Sequence, residues 1–166
     1  MKTLKKELRK REAAINLILE KPRDEYSIST FHRLRVEIKK LKALFDVVDF
    51  CSKEFNRKKI AKPFSEIFRQ AGKVREIQLE EIMLKKYFPP ESLKNYRNSL
   101  RKHRLQNEKV FFLLINKKII VKLKKKYQII IPSLAKVKIK KANRYMEKKR
   151  NAIETLLSKS SLKTKD

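Results

Sequence analysis

Glycine is nearly absent: the chain has one in 166 residues. A β-rich domain needs glycine at hairpin turns and bulges, so this scarcity predicts helices with few tight turns. A single glycine also excludes a glycine-rich phosphate loop. Tryptophan is missing, and the one cysteine is Cys51. One cysteine cannot form an intrachain disulfide, which fits a reducing cytosol. Nothing pairs it with a histidine and an orienting group, so Cys51 reads as a small apolar residue at a helix end. The two histidines, His32 and His103, are far apart and lack a Cys or acidic cluster, so no metal site is expected. No apolar run exceeds Val110 to Ile115, far short of a membrane span. The N-terminal stretch Met1 to Glu7 is basic but lacks the apolar core of a signal peptide. The expected location is cytoplasmic.

Acids are also scarce. Lys plus Arg is 46 against 18 for Asp plus Glu, a net charge of +28. Such self-repulsion destabilises the free chain, and a bound polyanion relieves it. The other reading is a simple solvated charge surface. Among the acids, Glu80 and Glu81 are adjacent and point apart on a helix, which makes a poor acid/base pair. No Ser-His-Asp arrangement and no acidic cluster for a metal ion suggests itself. Non-catalytic binding, without a cofactor, is therefore the expectation.

What is present is helical. Apolar residues make up 41% of the chain, enough to bury a core. The expected fold is all-α, an antiparallel bundle of long amphipathic helices in one domain over residues 1–166. Apolar spacing predicts a helix over 2–20, a loop from Pro22 to Ser27, and a second helix capped by Ser29 or Thr30 and running to about Phe50. Ser52 can cap a third, which Pro63 interrupts or restarts and which continues to about Phe88. Pro89-Pro90 divides the chain into halves, 1–88 and 91–158, with a polar tail over 159–166. In the second half, Ser92 can cap a helix to about Ile115, followed by a polybasic helix from Lys117 to Tyr127. Ile129-Ile130-Ile131-Pro132 ends that element, with the option of a short extended piece, and a last helix covers 134–158. Leu34, Ile38, Leu41, Phe45, Phe64, Ile67, Phe68 and Ile77 are expected in the core.

The most informative stretch runs from Phe31 to Phe45. At 100° per residue, Leu34, Ile38, Leu41, Leu44, Phe45 and Val48 share the core face. His32, Arg35, Lys39 and Lys42 fall together on a neighbouring face. This ladder spans roughly 15 Å and suits a linear chain of phosphates better than a compact anion. It has no acidic residue on its face until Asp46, so i,i+4 pairing does not account for it. Arg97, Arg101, Arg104 and Glu108 recur at helical steps after Pro89-Pro90 and form either a second wall of an anion groove or a solvated stripe.

The run His32, Arg35-Val36, Lys39-Lys40, Leu41, Lys42 resembles the signature of CHAD domains, the conserved-histidine α-helical domains. Gly72-Lys73-Val74-Arg75-Glu76 is similar to that family's second motif, with Glu76 where the family has Asp. The resemblance covers about residues 1–90. No second His-led motif follows, so the chain reads as a short or truncated member. The resemblance implies binding of inorganic polyphosphate in a basic groove or channel, without catalysis. It adds Lys40, Lys73 and Arg75 to the ladder as binding residues. Charge alone equally allows RNA or another nucleic acid as the partner. Against that, the five Tyr and nine Phe mostly sit at core spacing, with no evident stacking platform. A membrane-surface protein ranks last, because the apolar faces look like those of a packed bundle.

Overall fold

The computed structural model describes residues 2–161, the side chains through 158. Those residues form six α-helices and no strand. The helices are α1 (Lys2–Leu19), α2 (Ile28–Cys51), α3 (Arg57–Tyr87), α4 (Lys94–Leu114), α5 (Lys117–Ala135) and α6 (Ile139–Ser161), with a short 3-10 turn at Arg23–Glu25. The last five residues of the expected polar tail lie outside the described residues; its beginning continues α6.

One apolar cluster joins the helices. α2 contributes Phe31, Leu34, Ile38, Leu41, Phe45 and Val48, the three-and-four spacing of a buried helix face. α3 packs Phe64, Ile67, Ala71 and Val74 against it; α1 adds Leu8, Ile15 and Ile18; α5 adds Leu123, Tyr127 and Ile130. Phe111 of α4 meets Tyr26 and Phe31 edge-on. The Tyr26 hydroxyl donates to the Ile18 carbonyl at 2.6 Å and ties the loop after α1 to the body. Phe68 and Ile77, expected in the core, are only half-buried, Phe68 at the core's edge. Arg11 is buried between Glu7 and Glu37, at 3.1 and 2.6 Å. A charge so enclosed persists only when paired.

Several boundaries differ from the sequence expectation. Ser27, extended at φ −90° and ψ 172°, caps α2 by accepting from the Thr30 amide, so Ser29 and Thr30 lie inside the helix. Asn56 caps α3, and Ser52 instead ends α2. Pro63 sits buried within α3 and neither breaks nor starts it. Ser92 bonds back to the Pro89 carbonyl, and Leu93 precedes α4 in the left-handed conformation, without a side-chain cap. Asn116 caps α5 and separates it from α4. The isoleucines at 129–131 are helical, since α5 runs on through Pro132 to Ala135. Their β-branching is overridden because Leu123, Tyr127, Ile130 and Leu134 form one buried stripe. The last helix accordingly starts at Ile139.

Candidate polyanion site

Two antiparallel helices build the site. Phe45 of α2 meets Phe64 edge-on and Phe55 at a tilt beside the α2–α3 connection. Further back along α2, Arg35 meets Phe68 and Gly72, further forward along α3.

Arg35 is the centre of this contact. Its Nη1 donates to the Phe68 carbonyl at 2.9 Å, and its Cζ lies 4.1 Å from the Phe68 ring centroid. Gly72 lies one turn beyond Phe68 and is buried. A Cβ on Gly72 would stand 2.0 Å from Arg35 Nη1 and 3.0 Å from its Cζ. Glycine inside a helix costs about 1 kcal/mol relative to alanine. The chain's one glycine thus sits where an arginine lies flat against the backbone of a neighbouring helix.

The ladder's lysines approach the same ring. Lys42 Nζ is 5.5 Å and Lys39 Nζ 6.0 Å from the Phe68 centroid, within reach of its negative face. Arg75 follows Gly72 by one turn, and its Nε is buried with no hydrogen-bond partner among the described residues. His32 is exposed, one turn before Arg35, and the antiparallel register sets it level with the Arg75 turn. Among the described residues, none of His32, Arg35, Lys39, Lys42 and Arg75 forms an ion pair. The result is a strip of positive charge on the α2–α3 seam, with Arg35, Lys42 and Arg75 half-buried beside the core and His32 and Lys39 exposed.

The other sequence-predicted residues do not join this strip. Lys40 points toward α1 and pairs with Glu37 at 3.1 Å, which also holds Arg11. Lys73 is exposed, roughly 140° around α3 from Phe68. Arg104 is held by Glu81 and Glu108, each at 3.0 Å. Burial works against its charge, but those two carboxylates outweigh burial and raise its pKa. Arg97 donates to the carbonyls of Ser92, Leu84, Phe88 and Pro89, closing the C-terminal end of α3. Arg101 is exposed and lines a separate cavity of about 550 Å³ between α3 and α4. The stripe on α4 is therefore largely structural, and the residues that the ladder meets across the seam, Phe68 and Gly72, belong to α3.

No protein-family model, curated protein or solved structure matches the chain. The functional reading rests on the residues themselves.

Two features of the site were not read from the sequence. Phe68 reads as core because its spacing fits Phe64 and Ala71. Gly72 stands out in the sequence only as part of a motif. A lone glycine in a long helix, one turn from an aromatic residue and one turn from an arginine, is the signal that would have found both. Among the described residues, no three His, Cys, Asp or Glu side chains stand close enough to hold a metal ion.

Proposed function

We propose that the α2–α3 strip binds inorganic polyphosphate, and that the chain is a CHAD-like, non-catalytic polyanion-binding bundle. The observation that carries this reading is the gathering of Arg35, Lys39 and Lys42 around Phe68, none of them ion-paired to a carboxylate among the described residues. Cations held together repel one another in the free protein, and a bound anion reverses that cost. Arg35 and Lys42 are half-buried beside the apolar core, where a lower effective dielectric strengthens a charged hydrogen bond. The strip follows a helix axis, which suits a linear anion. The two stretches that carry the CHAD resemblance also touch, Arg35 against Gly72. Lys40, Lys73 and Arg104 are not part of the proposed site, and Arg101 is at most peripheral to it.

A nucleic acid is the weaker alternative. The one aromatic ring of the strip, Phe68, already carries a guanidinium at 4.1 Å, which competes with a base for its face. The exposed aromatic residues Phe50, Tyr87, Phe88 and Tyr96 lie away from it. The test is a titration of the protein with polyphosphate and with single-stranded RNA of equal charge, across a salt series. Polyphosphate is expected to bind more tightly and to raise the melting temperature more. Equal affinity per charge would reduce the reading to general polyanion binding.

A further inference from the structure

Each of α1 to α5 buries at least two apolar side chains against its neighbours, whereas α6 buries none among the described residues. α6 rests on the end of α2, where the tilted rings of Tyr145 and Phe50 lie 5.3 Å apart and Ala142 packs against the core. Beyond Tyr145 it leaves the body, and from Met146 to Leu156 every residue is exposed. Ile139, Met146, Ile153 and Leu156 are 65%, 60%, 57% and 67% exposed. At 100° per residue these four fall within an arc of roughly 100°. Lys140, Lys141, Arg144 and Lys148 fall on the opposite side. Lys149 lies within the apolar arc and bends back, its ammonium 5.6 Å from the Tyr145 ring.

Three turns of helix with no packing are marginal in water, so this face calls for a cover. Charge decides which. From Ile139 to Leu156 there are six basic residues and two acidic ones, on a chain of net charge +28. A second copy would bring like charge against like. An anionic bilayer offers opposite charge, an apolar layer for the stripe and headgroups that flanking lysines reach by extending their stems. We propose that α6 docks in the plane of an anionic lipid surface through Ile139, Met146, Ile153 and Leu156. This surface is separate from the α2–α3 strip and does not depend on what binds there.

The experiment is co-sedimentation with phosphatidylcholine vesicles with and without phosphatidylglycerol. The wild type is compared with the triple variant Met146→Gln, Ile153→Gln, Leu156→Gln, which keeps every charge and a good helix former at each site. The wild type is expected to sediment with the phosphatidylglycerol vesicles and far less with phosphatidylcholine alone. The triple variant is expected to bind them on the order of a hundredfold more weakly. Exposed positions leave the fold intact, which an unchanged melting temperature verifies, and Lys39→Ala is expected to leave vesicle binding unchanged. Equal binding by wild type and triple variant would overturn the proposal, because charge alone would then account for it. Self-association in sedimentation velocity that the triple variant abolishes would overturn it too, assigning the face to a second copy.

Discussion

Replacing Gly72 by alanine separates binding from stability. In an ordinary helix interior this change stabilises by about 1 kcal/mol. Here the new Cβ would stand 2.0 Å from Arg35 Nη1, so the guanidinium must swing away. That breaks its hydrogen bond to the Phe68 carbonyl and its contact with the Phe68 ring. A charged hydrogen bond contributes about 1.5–3 kcal/mol, and a partly exposed cation–π contact about 0.5–1. The displaced end is flexible and regains water, so part of this loss returns. The net change in stability is therefore expected to lie within about 2 kcal/mol of zero. Polyphosphate affinity is expected to fall clearly, because the central cation has left the strip. Chemical denaturation of a double-mutant cycle checks the cause. With Arg35→Ala already in place, Gly72→Ala meets no guanidinium and is expected to stabilise by the full 1 kcal/mol or so. Equal stabilisation by Gly72→Ala in both backgrounds would refute the seating of Arg35 on Gly72.

Arg11→Ala leaves Glu37 half-sunk with only Lys40 as partner, and is expected to cost about 3–5 kcal/mol in a denaturant melt. Burial raises the Glu12 carboxyl above the usual carboxylate range, while Arg9 and Lys124 pull it back. The folded chain then holds a proton that the unfolded chain has released, so stability falls as pH rises through that window. Glu12→Gln is expected to be more stable than wild type at neutral pH, with the difference vanishing in acid; melting temperatures across pH check this. Arg97→Ala removes a guanidinium from four carbonyls and is expected to lower the melting temperature while leaving polyphosphate binding intact.

The α2 half of the site was legible because a ladder of cations beside a core stripe depends only on helical periodicity. The α3 half was legible as a motif without a reason, because the reason is a tertiary contact: Gly72 matters through Arg35, 37 positions earlier in the chain. Lys40 looked equivalent to Lys39 in sequence. The structure separates them because one residue is a 100° turn, which carries Lys40 toward α1 and Glu37. Arg104 has its i,i+4 partner Glu108 in plain view in the sequence, but its second partner Glu81 comes from α3, 23 residues away. Caps were misread where several hydroxyls compete. Ser27, Ser29 and Thr30 all suit the role, and the anchoring of Tyr26 to Ile18 bears on where the helix begins. The helix end before Pro89-Pro90 needs no such contact, since two consecutive prolines remove two backbone donors and disfavour helix in the residues before them, whereas the single Pro63 and Pro132 are carried within α3 and α5.

Under the proposed function, a particular strip, and not the total charge, holds the anion. The most direct measurement compares Lys39→Ala with Lys118→Ala, an exposed lysine on α5, in polyphosphate titrations at several salt concentrations. Each variant removes one positive charge. Lys39→Ala is expected to weaken binding several-fold and to lower the number of released counterions by about one, with Lys118→Ala close to wild type. Equal losses for the two variants would contradict the account.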